Sequence, residues 1–325
     1  MTSTARPSLS PASPAATAAA AAAFPIIDAL VQSEITDAQA QFFRDQGLLV
    51  IRNLLRGQEL RDLQDQTQVL VDRARTLVED PDYLYREHEI SGLRVPFRVE
   101  YVIEKSAACR VLLGHPFILR SVEKLQGRNF IPTWDSMVFK NPGNGVSIPW
   151  HRDAGTDAVP AERGYQQPIF NVDFYLDEAN LSNCLWGILG SNRWPQSQAD
   201  QVIAELNASG FRHGHGAVPI VLAPGDVIFH NILALHGSPP AQTQLRRVLY
   251  FEFRPGEFER ETGPHKPEYG PLKQQVLQAC LGHRAASPVS AGEVPFVYRP
   301  DAAFTPPEAT RPLSTYRFPH HDWWR

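Results

Sequence analysis

The chain has 325 residues, of which 43% are hydrophobic, and its formal net charge is −4 at pH 7. A chain of this length can bury a large core, and all-β folds of this size often remain one domain. Lysine and arginine are spread along the sequence and form no basic stripe, so we expect no nucleic-acid binding. No apolar run approaches the length of a membrane span, so we expect no membrane insertion.

The cysteines and the N-terminal composition bear on location. Cys109, Cys184 and Cys280 are an odd number of cysteines without metal-binding or redox spacing, which suits a reducing compartment and predicts a cytoplasmic protein. Residues 1–24 are rich in Ala, Ser and Pro, and we expect them to form a disordered tail. A secretory signal is the alternative, but the alanine run is weakly apolar and lacks a convincing charged start.

The first predicted elements are helices. Thr36 and Gln39 have the spacing of a capping box, which predicts an amphipathic helix that continues through Arg44. We expect a short strand over residues 48–55 and a second helix over residues 59–77. A further helix is predicted over residues 116–125, where apolar residues recur at helical spacing.

Short strands separated by Gly and Pro turns follow from residue 131 to residue 253. This pattern is typical of a double-sheet jelly roll. We therefore predict a mostly β fold with flanking helices around a double-stranded β-helix (jelly-roll, cupin-like) core. The predicted organisation is a tail at 1–24 and one domain at 25–325, in which a helical part (25–130) precedes the jelly roll (131–256) and a C-terminal extension (257–325).

Two potential metal ligands lie in the segment Ile-Pro-Trp-His-Arg-Asp-Ala-Gly at residues 148–155. His151 and Asp153 are two positions apart, so their side chains point to the same side of an extended segment. His236 offers a third ligand after two strand-like runs joined by a Pro-Gly turn. A bare His-x-Asp is common among surface residues, but these ligands lie on predicted β structure. Two histidines and one carboxylate on one face of an iron are typical of non-haem Fe(II) oxygenases.

Arg246 and Arg247 begin another strand-like run, and alternation along it separates their side chains. Arg247 shares a face with the apolar residues Leu249, Phe251 and Phe253. A buried arginine costs several kcal/mol unless it is paired, whereas its planar guanidinium makes two charge-assisted bonds to a carboxylate. We therefore expect Arg247 to bind a dicarboxylate ligand. A buried ion pair with a protein carboxylate is the alternative.

Four segments carry a resemblance to a known family. They are residues 35–55, Pro-Gly-Asn-Gly-Val-Ser-Ile-Pro-Trp-His-Arg-Asp at 142–153, Pro-Gly-Asp-Val at 224–227, and His-Gly-Ser at 236–238 followed by the arginine pair. In these segments the chain resembles the phytanoyl-CoA dioxygenase family, a branch of the Fe(II)- and 2-oxoglutarate-dependent oxygenases. Where relatives commonly read Pro-Gly-Ser-His, this chain has Leu189-Gly-Ser-Asn192, which makes the nearby loop and the choice of substrate less predictable.

The resemblance implies a role for each matching residue. His151, Asp153 and His236 would be the iron ligands, and Arg247, eleven positions after His236, would hold the far carboxylate of 2-oxoglutarate with Ser238 beside it. The enzyme would consume O₂ and 2-oxoglutarate, release succinate and CO₂, and oxidise a C–H bond of a small molecule of secondary or amino-acid metabolism. Because position 153 is an aspartate rather than alanine or glycine, hydroxylation or another oxidation is favoured over halogenation.

Residues 169–176 offer candidate pocket side chains. Alternation separates the apolar side chains of this run from Asn171, Asp173 and Tyr175. We expect the apolar side to pack against helices and the polar side to line the mouth of the barrel, where Asp173 would hold a water or a cationic or hydroxylated substrate. A polar face turned to solvent is the alternative.

Two further segments complete the predicted pocket. Ser136 and Lys140 share one face of a predicted strand, and we expect Ser136 to reach the cosubstrate and Lys140 to reach the substrate. Arg94, Arg98 and Glu100 lie in a segment that we expect to be a loop of the kind that often forms a lid, with Arg98 in the pocket. Charged loop residues that are only solvated are the alternative.

The remaining histidines predict no second metal site. His213 and His215 resemble the start of another jelly-roll metal motif, but no glutamate follows in the next turn of sequence, which favours a solvated loop. His320 and His321 are adjacent and cannot easily face one metal from a regular strand or helix. We expect His230 to be a core residue or a support for the ligands.

Two other function classes stay open on the sequence alone. A non-catalytic jelly roll that binds a sugar or a protein would have no need of three ligand-type residues together with an inward arginine. A Zn(II)-dependent hydrolase or isomerase could use the same triad, but the arginine would then have no evident task. The sequence does not indicate the oligomeric state.

Overall fold

The computed structural model describes residues 24–25, 27–88, 91–143, 145–154, 167–208, 211, 213–241 and 244–306. The predicted N-terminal tail up to residue 23 and the histidines at 320 and 321 lie outside these ranges.

The described residues form eleven strands and eight α-helices. The N-terminal elements are α1 (Asp37–Gln46), β1 (Leu48–Ile51), α2 (Gly57–Arg75), β2 (Tyr83–Glu87), β3 (Arg94–Glu100), α3 (Val102–Lys105), α4 (Ala107–Leu113) and α5 (Pro116–Gln126). The central elements are β4 (Ile131–Lys140), β5 (Ile148–His151), β6 (Phe170–Tyr175), β7 (Leu185–Gly187), α6 (Gln196–Asn207), β8 (Val218–Ile220), β9 (Val227–Asn231), β10 (His236–Ser238) and β11 (Arg246–Arg254). The chain continues with α7 (Gly256–Thr262) and α8 (Tyr269–Ala285). None of these helices is both long and apolar enough to cross a lipid bilayer.

The strands build two antiparallel sheets. The larger sheet has seven strands in the order β1-β9-β6-β11-β4-β3-β2, and the smaller has four in the order β5-β10-β7-β8. Their inner faces meet in an apolar cluster that includes Tyr175 and Val248 from the large sheet and Trp186 from the small one. This arrangement, with helices packed outside it, confirms the prediction of a mostly β jelly-roll fold with flanking helices.

The outer face of the large sheet packs against the helices. Alternate residues of β6 and of β11 lie in the main buried cluster together with side chains from α2, α4, α5 and α8. These residues are Phe170, Val172 and Phe174 on β6 and Leu249, Phe251 and Phe253 on β11. The apolar half of β6 therefore packs against helices, as predicted, and its polar half faces the space between the sheets.

A tight turn fixes the start of β9. Gly225 has φ +93, and a Cβ at this position would lie 2.1 Å from the Leu55 carbonyl oxygen, so no larger residue fits. The next residue, Asp226, accepts hydrogen bonds from the backbone nitrogens of Asn53 and Ala223. The Pro-Gly-Asp segment thus ties β9 to the chain that follows β1.

Several element predictions are confirmed. Thr36 and Gln39 form both halves of the capping box at α1. The helices predicted over residues 59–77 and 116–125 are observed at Gly57–Arg75 and Pro116–Gln126. The strand predicted over residues 48–55 is shorter and ends at Ile51.

The loop predicted around Arg98 is wrong. Residues Arg94–Glu100 form β3, which pairs with both β2 and β4 inside the large sheet. The charged residues of this segment are interspersed with the buried residues Val95, Phe97 and Val99, and the register of its pairing with β2 shifts between Leu84 and Tyr85. Arg98 therefore extends from a fixed strand and does not belong to a lid.

Candidate active site

His151, Asp153 and His236 meet at the inner side of the small sheet. One potential ligand atom of each residue lies within 4.8 Å of the others. His151 Nε2 is 3.3 Å and His236 Nε2 is 3.8 Å from the same atom, Asp153 Oδ1. In the described part of the chain, this is the one group of three such side chains that is close enough to share a metal ion. The structure thus brings together the three residues that the sequence singled out.

Strand pairing and backbone contacts set the orientation of the two imidazoles. His151 on β5 lies opposite His236 on β10. His151 Nδ1 is 2.8 Å from the Pro149 carbonyl oxygen, and His236 Nδ1 is 2.9 Å from the Ala234 carbonyl oxygen. Because a carbonyl can only accept, each Nδ1 donates the hydrogen bond, and in the neutral imidazole each Nε2 then keeps its lone pair. Both lone pairs belong to the nitrogens that face Asp153.

The second oxygen of Asp153 is held by the large sheet. Asn171 Nδ2 donates to Asp153 Oδ2 at 3.0 Å, and His230 Nε2 lies 2.8 Å from the same oxygen. His230 Nδ1 is in turn 2.6 Å from Asp173 Oδ2. Oδ2 is therefore occupied by protein contacts, whereas Oδ1 faces the two ligand histidines.

The electrostatics of the cluster favour the metal-binding forms of Asp153 and His236, whereas His151 differs: burial would lower its pKa, but the hydrogen bond and charge of Asp153 outweigh burial and raise it. Burial alone would raise the pKa of Asp153, but the charge of His236 and the hydrogen bonds of His151 and His230 outweigh it and hold that pKa well below its usual range. Burial, followed by the nearby charge of His151, lowers the pKa of His236 to about 3. Burial disfavours the charged form of His230, but Asp173 and Asp153 raise its pKa to about 10. An ionised aspartate and a neutral histidine are the forms that bind metals.

Arg152, which lies between the two ligands just after β5, anchors this segment. Arg152 Nη2 donates to the carbonyl oxygens of Ser191 and Trp194 at 2.7 and 2.9 Å. The same turn contains the departure from the family pattern, and Asn192 donates to the Arg44 carbonyl at the end of α1. The Asp153 backbone nitrogen is fixed by the Ile232 carbonyl at 2.9 Å.

A cavity of about 420 Å³ lies over the cluster, between the two sheets. Its wall combines the three potential ligands with residues from β2, β3, β4, β6, β9 and β11 of the large sheet and from β7 and β10 of the small one. A second concavity, of about 520 Å³, lies at the starts of α2 and α5 and contains none of these ligands. The cavity between the sheets is therefore the candidate active site.

The prediction that Arg247 faces the cavity is wrong. Arg247 lies on the helical side of β11, where its Nη2 is 2.7 Å from Asp177 Oδ1 and its Nε is 2.8 Å from Asp177 Oδ2. Its Nη1 donates to the Gln64 carbonyl on α2 at 2.6 Å. The apolar face of β11 packs against helices, so an arginine on that face meets a protein carboxylate instead of a ligand. The alternative given with the prediction, a buried ion pair, is what the structure contains.

Of the arginine pair, Arg246 is the one that lines the cavity, and the sequence argument chose the other. Its side chain is 1% exposed, and its Nη1 donates to the Asn183 carbonyl at 2.7 Å. Its Nε has no hydrogen-bond partner among the described residues. No carboxylate of the described chain forms an ion pair with this guanidinium. A buried cation in this state requires an anionic partner.

Of the other predicted cosubstrate residues, Ser238 lines the cavity and Ser136 does not. Lys140 is buried, and its Nζ donates to Ser238 Oγ at 2.8 Å, so it supports Ser238 and does not reach the predicted substrate pocket. Ser136 shares the inward face of β4 and is buried, and its hydroxyl has no described partner.

The predicted substrate residues divide in a similar way. Asn171 and Arg98 line the cavity. Asp173 is fully buried behind His230, which contacts its Oδ2, and it does not line the cavity, so the prediction that it lies at the barrel mouth and holds a substrate there is wrong. Tyr175 is buried in the apolar cluster between the sheets and does not line the cavity. Tyr250, which the sequence argument did not single out, lines the cavity from β11.

His213 and His215 are held by contacts outside the cluster. The ring of His213 stacks on Trp186 at 3.7 Å between centroids, and His215 Nε2 is 2.9 Å from Glu205 Oε2. These contacts agree with the interpretation that the pair is no second metal site. His230 supports the ligand aspartate, as expected.

Comparison with known proteins gives the family. The family model described as phytanoyl-CoA dioxygenase (PhyH) matches residues 43–248, which is more than half of the chain and includes all three potential ligands and Arg246. The chain belongs to the phytanoyl-CoA dioxygenase family. This confirms the resemblance that the sequence motifs indicated.

Individual relatives of this family member are distant. The chain is 26% identical over 163 residues to "Dioxygenase lolE1" of Epichloe uncinata, a match that covers 50% of this chain and 60% of that protein. It is 25% identical over 239 residues to "Methylphosphonate hydroxylase" of Gimesia maris, a match that covers 69% of this chain and 82% of that protein. The structure of EctD from S. alaskensis with bound Fe has a TM-score of 0.53 at 20% identity and covers 71% of this chain and 83% of that one. This last likeness shows the shared jelly-roll fold.

Proposed function

We propose that the protein is an Fe(II)- and 2-oxoglutarate-dependent dioxygenase that hydroxylates a C–H bond of a small molecule of secondary or amino-acid metabolism and releases succinate and CO₂. One observation carries the proposal: two imidazoles, one carboxylate and a buried arginine without a carboxylate partner line one cavity. Two relatives named a dioxygenase and a hydroxylase support it. We infer a cytoplasmic location because the three cysteines are free and buried.

The cluster fits an iron ion. His151 Nε2, His236 Nε2 and Asp153 Oδ1 are the ligand set of a two-histidine, one-carboxylate site, which leaves metal positions open for other molecules. Asn171 and His230 occupy the other oxygen of Asp153 and so keep Oδ1 turned to the histidines. Such outer contacts commonly set the orientation of a ligand and its affinity for metal.

The adjacent wall fits 2-oxoglutarate. Arg246 provides a guanidinium whose Nε has no described partner, and a dicarboxylate would supply the missing anion. Ser238 Oγ accepts a hydrogen bond from Lys140, so the hydroxyl proton of Ser238 remains to be donated to a carboxylate. Arg246 and Ser238 would therefore hold the carboxylate of 2-oxoglutarate that lies away from the iron.

The chain contributes position and a dry environment to the reaction. Iron and 2-oxoglutarate, when bound, supply the oxidising power that activates O₂ toward a C–H bond. His151, His236 and Asp153 fix the metal, while Arg246 and Ser238 orient the cosubstrate. The ligand His236 is buried, and so is Asp173, which contacts His230. Their burial excludes water from the inner part of the site.

An anaerobic spectrum tests the proposal. Wild-type protein with Fe(II) and 2-oxoglutarate is expected to develop a weak visible charge-transfer band and, once oxygen is admitted, to release succinate. The His151→Ala protein is expected to lack the band. His215→Ala is the matched control, because His215 is partly exposed and paired with Glu205 away from the cluster, and it should behave as wild type.

The same spectrum distinguishes the proposed dioxygenase from the two alternative functions. A Zn(II)-dependent hydrolase would bind a metal at this triad but would give no band that depends on 2-oxoglutarate. A non-catalytic binding protein would show neither the band nor succinate release. Either of these results with well-folded wild-type protein rejects the proposed function.

A further inference from the structure

We infer that the substrate carries an acidic group, a carboxylate or a phosphorus oxyacid, and that Arg98 binds this group at the wall of the cavity. The inference rests on the proposed function and names the chemical class of its substrate. It follows from the charges that line the cavity and from which of them the protein already pairs.

The carboxylates of the cavity other than the ligand Asp153 are both paired within the protein. Glu100 Oε1 is 2.5 Å from Arg98 Nε, and Glu100 Oε2 accepts a hydrogen bond from Trp134 Nε1 at 2.8 Å. Glu252 Oε1 accepts hydrogen bonds from Arg254 Nε and Thr133 Oγ1, each at 2.7 Å. Neither carboxylate is left to attract a cationic substrate.

Arg98 is paired through only one side of its guanidinium. Its Nε faces Glu100, and its two terminal nitrogens form no hydrogen bond with the described residues. The side chain of Arg98 is 32% exposed, whereas that of Glu100 is 1% exposed, so the buried carboxylate fixes the inner edge of the guanidinium and the outer edge is open. Tyr250 also lines the cavity, and its hydroxyl forms no hydrogen bond with a described residue. The open polar groups of this wall are therefore hydrogen-bond donors, and one of them is a fixed cation.

The site of Arg98 differs from that of Arg246. Arg98 lies on β3 opposite Val138, whereas Arg246 lies on β11 opposite Lys140, with β4 between the two strands. Arg246 is buried, and Arg98 is partly exposed. The cavity thus offers two positions for anions, of which the buried one suits the cosubstrate and the open one suits a substrate that enters later.

The wall near Arg98 also contains Arg86, whose guanidinium lies over the Phe97 ring, and several apolar side chains. Leu84, Phe97 and Ile148 line the cavity on the same side, and the Arg98 guanidinium lies 5.8 Å from the centre of the Trp134 ring. A substrate with an acidic group joined to an apolar body would match both parts. Small acids with a hydrophobic chain or ring are therefore the expected class.

Matched acidic and neutral probes test the inference. Full-length protein is loaded with Mn(II) and saturating 2-oxoglutarate, and paramagnetic broadening of proton NMR signals reports binding of 4-phenylbutyrate, 4-phenylbutyramide and 3-phenylpropylphosphonate. We expect wild type to bind at least one acid about tenfold more tightly than the amide, because a charge-assisted contact is roughly twice as strong as a neutral one. Preference for the carboxylate or for the phosphonate then distinguishes the two kinds of acid.

Two variants assign the preference to Arg98. Arg98→Gln combined with Glu100→Gln removes both charges of the pair together, and it should bind the acids and the amide within about twofold of each other. Glu100→Gln alone keeps the guanidinium and should keep the preference for acids. Thermal melting and Mn(II) affinity establish that each variant is folded.

Several results would overturn the inference. Wild type that binds the amide as well as the acids, or that binds none of the three probes, excludes an acid site at this wall. Retention of the preference in the double variant excludes Arg98 as its cause. If the charge-transfer band with 2-oxoglutarate forms normally in these proteins, such a result rejects the acid site and leaves the proposed function standing. If the band is absent in wild type, both the acid site and the proposed function are rejected.

Discussion

Two neighbouring arginines of β11 show how the two faces of the large sheet differ. Arg247, on the helical face, is paired with Asp177 through two of its nitrogens. Arg246, on the cavity face, is equally buried and has no carboxylate partner in the described chain. Burying an unpaired charge costs several kcal/mol. The first arginine is satisfied by folding, and in the proposed function the second is satisfied by 2-oxoglutarate.

The largest expected effect is on the structural side. Arg247→Ala leaves Asp177 without its partner, and we expect the free energy of unfolding to fall by about 3–5 kcal/mol, measured by urea unfolding at pH 7. The double variant Arg247→Ala with Asp177→Ala should recover part of this loss, because no carboxylate is then left unpaired. A loss below about 1 kcal/mol in the single variant would show that the pair is screened by solvent.

The cavity side should respond in binding rather than in stability. Arg246→Gln is expected to weaken 2-oxoglutarate binding by roughly 30-fold to 1000-fold, since a buried charged contact is lost. Its unfolding free energy should change little, because no protein carboxylate is released. The measurement is a 2-oxoglutarate titration of the anaerobic Fe(II) protein, followed by the charge-transfer band. Loss of affinity in folded Arg247→Lys instead would reverse the assignment of the two faces.

A smaller effect is expected for the groups that hold Asp153. His230→Gln and Asn171→Ala each remove a contact to Oδ2, and we expect Mn(II) affinity to fall by about 10-fold to 100-fold. Competition with a chelator of known affinity measures this change without any turnover. His215→Gln serves as the control and should leave Mn(II) affinity unchanged. Wild-type affinity in both variants would mean that the backbone alone orients Asp153.

The smallest expected effect is on the pH dependence of stability, and it comes from a half-buried carboxylate. Burial raises the pKa of Glu104 to about 7, and its Oε1 has no described partner. The folded state therefore keeps a proton that the unfolded state releases, so this group lowers stability as pH rises from about 5 to about 7.

Glu104→Gln should remove this pH dependence. We expect the variant to be more stable than wild type by about 1–2 kcal/mol at pH 8, after allowing for solvent screening, and to equal it near pH 4. Thermal melts across this pH range measure the difference. An equal stability at every pH would show that Glu104 stays ionised in the folded protein.

The metal cluster was predictable because the placement of its ligands depends on residues close to them in the sequence. His151 and Asp153 need only an extended segment to share one side, and the Pro-Gly turn before β9 indicated the strand pair that leads to His236. The jelly roll followed from the same signals, since short strands with Gly and Pro turns continue through the central part of the chain. Helix α1 was predictable from its capping box, which is a contact within four residues.

The arginine assignment failed because it depends on distant packing. Alternation divides β11 into two faces, but it does not say which face the helices cover. The apolar face was taken as the side of the site, whereas the cavity face carries the mixed set Arg246, Val248, Tyr250 and Glu252. Counting eleven positions from His236 did not help, because the count crosses a loop and an error of one residue reverses the face.

Two elements were missed for different reasons. β3 was taken for a lid because of its charges, although their alternation with apolar residues already had the period of a strand. Helix α8 lies in the C-terminal extension, for which the sequence analysis predicts no element. Its buried residues Val276, Leu277 and Cys280 have helical spacing, which a periodicity count would have detected.

The hydrogen bonds that hold β5 and the segment after it affect how the protein binds its metal. Among the described strands, β5 is at the edge of the small sheet and pairs with β10 alone, so its other side has no strand partner. The Asn207 side chain bonds both the backbone nitrogen and the carbonyl of Trp150 on β5, and Arg152 binds the turn at Ser191 and Trp194. The conformational entropy of the ligand side chains is therefore lost when the protein folds and not when iron binds. Metal exchange can then proceed on a rigid, preorganised scaffold, and backbone amides of this strand should exchange with deuterium equally slowly with and without metal.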